Sequence, residues 1–139
     1  MYIVDASVVV ERLIRNTYTP NAQALFQRAL HRDKFFIPEF GFIECVNVLW
    51  KSVRFQNMPL TQAQTLIRDL KQLPLQFTEV DDILEPALNI GIKYQLAVYD
   101  SIYIALAQKL NKPLITLDQK QSNAAQSEGV TLLPLTQFT

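Results

Sequence analysis

Four carboxylates stand where apolar stretches end or pass, and they are the side chains of this chain best suited to chemistry. Asp5 closes the β-forming run Tyr2-Ile3-Val4, and Asp118 closes Leu114-Ile115-Thr116-Leu117. Glu44 lies inside an apolar helical pattern, and Asp100 opens another. Each has an ordinary structural explanation. Asp5 and Asp118 are of a type that caps helices, Asp100 complements the positive start of its helix, and Glu44 suits an ion pair across a helix interface. Taken together they are harder to explain away. Two unit charges ~4 Å apart repel by about 4 kcal/mol at an effective dielectric of 20. Three or four clustered carboxylates therefore need a cation among them, or protons on some of them. Cys45 is the single cysteine and His31 the single histidine, which excludes zinc sites built from several Cys and His. Carboxylate oxygens alone point to Mg²⁺ or Mn²⁺. With no histidine near the acids, a histidine general base is not expected, and His31 reads as structural or exposed.

The elements that must position these acids follow from periodicity. Tyr2 to Val4 reads as a strand buried on both faces, with Asp5 at its carboxyl end and Ser7 as cap of a helix reaching Ile14. A second helix runs from Thr19-Pro20 to about His31, with Ala22, Leu25, Phe26 and Ala29 as its buried stripe. Phe35 to Pro38 is a strand ended by proline. Glu39 to about Gln56 is helical, with Phe42, Val46, Leu49 and Val53 on one face and Ile43 and Trp50 beside them; Glu44, Asn47 and Lys51 form a separate row. Thr61 is the expected cap of a helix carrying Ala63, Leu66, Ile67 and Leu70. Leu75 to Phe77 is a strand, and Asp82 the cap of a helix from Ile83 to Tyr94. Tyr99 to Leu110 is apolar on two sides, as in a well-buried helix. Leu114 to Leu117 repeats the strand-then-aspartate pattern, a polar helix from Gln119 to Glu128 ends at Gly129, and Val130 to Leu133 is a last strand. Alternating strands and helices give an α/β domain with a mainly parallel sheet and right-handed crossovers. Ligands of such sheets bind outside the carboxyl ends of the strands, where Asp5 and Asp118 both fall.

The 139 residues fit one domain, 1–139, and the 49 % hydrophobic content is ample for one core. Thirteen basic and thirteen acidic residues give zero formal net charge, so any nucleic acid must be held by a local patch. No stretch is long enough to span a bilayer and no signal peptide is visible, so a soluble cytoplasmic protein is expected.

Four stretches also carry a resemblance: Met1-Tyr2-Ile3-Val4-Asp5-Ala6-Ser7; Phe40-Gly41-Phe42-Ile43-Glu44-Cys45-Val46-Asn47-Val48-Leu49; Tyr99-Asp100-Ser101-Ile102-Tyr103-Ile104-Ala105-Leu106-Ala107; and Pro113-Leu114-Ile115-Thr116-Leu117-Asp118. In this order they resemble the four successive blocks of a PIN domain, and most of all the single-domain ribonuclease toxins of VapBC toxin–antitoxin pairs. The resemblance implies a PIN-like, Rossmann-like three-layer α/β/α sandwich. It implies an acidic pocket in which Asp5, Glu44, Asp100 and Asp118 bind one or two Mg²⁺ or Mn²⁺ ions for RNA phosphodiester hydrolysis, with Ser7 supporting the metal shell. It also implies a small antitoxin partner and a homodimer.

The remaining candidates read mostly as structure. Lys51, Arg54, Lys93, Lys109, Lys112 and Lys120 read as solvated surface, whereas Arg12 and Arg15 start near the proposed pocket and are favoured for RNA. Tyr2, Tyr94, Tyr99 and Tyr103 are expected to pack rather than stack on bases, Cys45 to be a small buried hydrophobe, and Trp50 to anchor a core or a helix pair. The helical pair ending in Leu60–Leu73 is a partner surface for an antitoxin or a second copy, or else a packed lobe. A metal-dependent toxin endoribonuclease leads. Its rivals are a PIN-type RNA-processing nuclease without an antitoxin, and a catalytically silent α/β binding module.

Overall fold

In a computed structural model all 139 residues are described. Four short strands form the sheet: β1 (Tyr2–Val4), β2 (Phe35–Pro38), β3 (Leu75–Thr78) and β4 (Leu114–Ile115), in the order β3-β2-β1-β4, all parallel. Register pairs Ile3 with Phe36 and Leu114, and Val4 with Ile115. Ile3, Val4, Phe35, Ile37, Leu114 and Ile115 are fully buried, as β-formers covered on both faces should be.

Seven helices fill the crossovers: α1 (Ala6–Leu13), α2 (Thr19–Ala29), α3 (Phe40–Phe55), α4 (Leu60–Gln72), α5 (Leu84–Tyr94), α6 (Val98–Leu110) and α7 (Gln119–Ser127). The chain steps outward from β1 to β2 to β3, then returns past β1 to β4. Right-handed crossovers in opposite directions put α1–α4 on one face and α5–α6 on the other, which makes three layers. One continuous cluster of 28 buried apolar residues joins them. The reversal at β1/β4 is a topological switch point, where the carboxyl ends of two neighbouring strands splay helices to opposite faces. Helix α6 lies against both β1 and β4 and is buried continuously from Ser101 to Ala107.

Several local expectations are corrected. The cap of α1 is Asp5, not Ser7, because the Asp5 carboxylate reaches the first free amides, Ser7 N and Val8 N. Helix α2 starts with Thr19 and Pro20 already in its first turn. Helix α4 begins after Pro59, and Thr61 lies inside it. Asp82 sits in a 3₁₀ turn, Asp81–Ile83, and pairs with Lys109 instead of capping. Val130 to Leu133 is not a strand; a single bridge, Leu132 to Leu114, is formed there. Glycine ends α7 as expected, with Gly129 at φ 78°. The largest departure is on α3. Its buried side is Gly41, Cys45, Leu49 and Ser52, while Ile43 and Trp50, 70 % and 56 % exposed, face away from the core. Apolar residues occur on both sides of this helix, so periodicity alone left its orientation undetermined.

Candidate active site

Asp5, Glu44, Asp100 and Asp118 line one cleft of about 500 Å³, together with Ser7, Glu11, Asn47, Lys51, Tyr103 and Leu117. The cleft lies at the carboxyl ends of β1 and β4. Residues as far apart as 5 and 118 meet there because the β1 and β4 strands they follow are parallel neighbours.

Asp5 is the most enclosed of the four, 5 % exposed. Its Oδ1 accepts from the Ser7 amide at 3.1 Å, from the Ser7 hydroxyl and from Val8 N at 3.4 Å. Thr116 Oγ1 lies 2.7 Å from Oδ2. Burial pushes the Asp5 carboxyl up to about 6, against the hydrogen bonds of Ser7, Thr116 and Val8; Asp118 adds a small push the same way. The Thr116 hydroxyl accepts from Asp118 N at 3.0 Å and lies 2.7 Å from both Asp5 Oδ2 and Gln121 Oε1. One hydroxyl hydrogen cannot serve two acceptors. The Thr116 hydroxyl is therefore shared between the Asp5 carboxylate and the Gln121 carbonyl, donating to one of them at a time.

Glu44 stands on α3, where its Oε1 accepts from the Tyr103 hydroxyl at 2.8 Å. Its carboxyl is raised, first by burial and then by Asp5 and Asp100, against the Tyr103 bond. Tyr103 itself is buried, 1 % exposed, and its phenol is pushed upward by burial and by Glu44, so it remains a donor. Asp100, in the first turn of α6, is raised by burial and by Asp118, with Lys120 opposing. Asp118 caps α7, its Oδ1 accepting from Gln121 N at 2.8 Å. Neither Asp5, Glu44, Asp100 nor Asp118 belongs to any of the ion pairs formed, which are Arg28–Asp33, Lys93–Glu128 and Lys109–Asp82. With Glu11, five carboxylates thus share a cleft without a cationic side chain in an ion pair with any of them.

The donor set suits a hard divalent cation, because it is carboxylate oxygen with no imidazole. Cys45 adds no soft ligand: burial, then Glu44 and Asp5, push its thiol up to about 12. No three His, Cys, Asp or Glu side chains are already gathered tightly enough to hold an ion. Glu44 and Asp100 are partly exposed and Asp118 exposed, whereas Asp5 is enclosed.

Two further residues, Gln121 and Tyr103, support the acids. Gln121 is fully buried; it contacts Thr116 through Oε1, donates from Nε2 to the Asp100 carbonyl at 3.0 Å and from its amide to Asp118. It so links three of the four acids. The available signal was a glutamine on the apolar face of a polar helix. Tyr103 could have been found as the hydroxyl-bearing aromatic within the apolar run Ile102–Ala107 of α6. Arg12 is a correction: it lines a different groove, with Leu13, Phe26, Leu30 and Asp69, because it is seven residues beyond Asp5 on a helix leading away from the sheet edge. Lys51 is the basic residue lining the acidic cleft.

The sequence matches the family model of the PIN domain over residues 2–126, and the chain belongs to the PIN domain family. It is 25 % identical over 120 residues to Ribonuclease VapC3 of Pyrobaculum aerophilum, spanning 85 % of this chain and 89 % of that protein. It is 26 % identical over 129 residues to Ribonuclease VapC12 of Mycobacterium tuberculosis, covering 93 % of each. Its fold is similar to that of a solved protein of Pyrobaculum aerophilum, with a TM-score of 0.72, 20 % identity and 98 % and 90 % of the two chains covered. It is likewise similar to the VapBC2 complex of Rickettsia felis, solved on a promoter DNA fragment, with a TM-score of 0.68, 12 % identity and 96 % and 97 % covered. No helix of the chain is long and apolar enough to cross a membrane.

Proposed function

We propose that this chain is a Mg²⁺- or Mn²⁺-dependent endoribonuclease and the toxin of a VapBC-like pair, acting in the cytoplasm as a homodimer held in check by a small antitoxin. The observation that carries the chemistry is the meeting of Asp5, Glu44, Asp100 and Asp118 in one cleft with no ion pair to neutralise them. The toxin reading draws on the VapC names of the relatives and on VapBC complexes among the structural neighbours.

Asp5, Glu44, Asp100 and Asp118 would hold the ion or ions. A divalent cation, when bound, lowers the pKa of water and neutralises charge on the scissile phosphate. The Ser7 and Val8 amides keep one Asp5 oxygen in place. Tyr103 fixes one Glu44 oxygen and leaves the other free. Gln121 and Thr116 brace Asp5, Asp100 and Asp118 from behind. The carboxylates ligate and orient; they do not attack phosphorus.

Incubating the purified protein with single-stranded RNA and Mg²⁺, Mn²⁺ or EDTA tests the proposal. Cleavage should require the metal, and Asp5→Asn or Asp100→Asn should lower its rate by about a hundredfold or more, at or above the upper end of what a lost metal-site partner costs. Undiminished cleavage by either variant would sink it. A short reading frame just upstream encoding a DNA-binding antitoxin distinguishes a toxin from an RNA-processing nuclease of the same chemistry.

A further inference from the structure

The C-terminal half of α3 carries a cluster the catalytic cleft does not absorb. Glu44, Asn47, Lys51 and Arg54 follow one another at helical spacing, and the first three line the acidic cleft. Ten residues of helix carry this row about 15 Å from Glu44 to Arg54. Trp50 and Phe55 flank it, 56 % and 67 % exposed, with ring centroids 5.8 Å apart at 87°. The Arg54 guanidinium lies 5.2 Å from the Phe55 centroid. Neither Lys51 nor Arg54 is tied to a carboxylate in any ion pair.

Exposed aromatic faces beside unpaired cations match a strand of unstacked bases on a phosphate backbone. A polar duplex would present no base faces to these rings. Leu84, Leu88 and Ile92 on α5 are also exposed but aliphatic, and the exposed rings of Phe77 and Tyr99 lie on other elements, away from the Lys51–Arg54 row. The same α3–α4 hairpin was the expected surface for a protein partner; the two free cations and the continuity with the acidic cleft favour a polyanion. We infer that the exposed end of α3 is a stacking platform for single-stranded RNA, Trp50 and Phe55 taking bases and Lys51 and Arg54 the backbone, leading the strand to the acids. This inference rests on the ribonuclease reading above.

Trp50 is the only tryptophan, so its fluorescence reports on the platform alone. Asp5→Asn protein, which should bind without cutting, is titrated with a 12-nucleotide single-stranded RNA and with the same RNA as a duplex. The single strand should quench Trp50 saturably, and the duplex should not. Trp50→Ala plus Phe55→Ala, both on the exposed side, should weaken single-strand binding by about tenfold or more, within the range for losing a base stack. In the Asp5-intact background the same pair should raise KM for short single strands more than it lowers kcat. Unquenched Trp50, or equal affinity in the double variant, overturns the platform while leaving metal-dependent cleavage intact. A double variant that binds RNA normally but changes its mass in light scattering, or loses an antitoxin, overturns it in favour of a protein interface. If the nuclease reading itself were wrong, cleavage by the Asp5-intact protein would be absent as well.

Discussion

Asp5→Asn should stabilise the metal-free protein while disabling it. The Asp5 carboxyl rises from 3.8 to about 6 in the folded state, and 1.36 kcal/mol per decade makes that about 3 kcal/mol. A folded-state pKa above the unfolded one means the folded protein binds more protons between about pH 4 and pH 6, so wild-type stability falls as pH rises through that window. Above pH 6 the full cost of the buried charge is present. Asparagine has no charge to lose. It caps α1 as well as aspartate does, and its amide NH₂ can donate to Thr116 Oγ1, which frees the Thr116 hydrogen for Gln121. At pH 8 in EDTA the variant should melt roughly 10 °C above wild type; near pH 4 the difference should shrink below about 1 kcal/mol. Millimolar Mn²⁺ should raise the wild-type melting temperature by the linkage RT ln(1 + [L]/Kd) and leave the variant unmoved. Melting followed by circular dichroism at the two pH values, with and without Mn²⁺, gives all four numbers. A variant that is no more stable than wild type at pH 8, or whose advantage is the same at pH 4, would refute the assignment of a buried, destabilising charge at Asp5.

Other expectations follow from the supporting contacts. Tyr103→Phe removes the hydroxyl that donates to Glu44, so Glu44 should hold its proton to higher pH and the acidic limb of the cleavage pH profile should move upward, read from rates between pH 5 and 8. Gln121→Leu strips a buried amide of its links to Thr116 and the Asp100 carbonyl; a loss of about 1–3 kcal/mol in urea unfolding should come with weaker Mn²⁺ binding by calorimetry. Gly41→Ala would drive its Cβ into Ile37 and to 2.8 Å from the Tyr103 hydroxyl, costing about 1–3 kcal/mol through overpacking, detectable in the same unfolding assay. Glu44→Gln should retain the Tyr103 contact and the fold, with unchanged melting to within a few degrees, yet lose metal-dependent cleavage.

Much of this molecule was legible in its residue order. The runs Tyr2–Val4, Phe35–Pro38, Leu75–Phe77 and Leu114–Leu117 are short, β-forming and punctuated, as strands between helices are; the structure forms all four, the third as a half-exposed edge strand and the last over Leu114–Ile115 alone. A carboxylate directly after a buried strand has to emerge at the sheet edge, which located Asp5 without coordinates and put Asp118 in its company. The family resemblance lay in contiguous blocks and needed no geometry either. The tertiary structure decided what depends on neighbours distant in sequence. Which side of α3 is buried was open, because both sides carry apolar residues, and packing exposed Trp50 where periodicity had enclosed it. The Val130–Leu133 run has strand composition but finds only one bridge, since β4 is two residues long. Arg12 turned away because a helix leaving the sheet edge carries its later turns elsewhere. Gln121 and Tyr103 gained their meaning only through partners 21 and 59 residues away, because a hydrogen bond between segments is a property of the fold's distances and cannot be read from spacing along the chain.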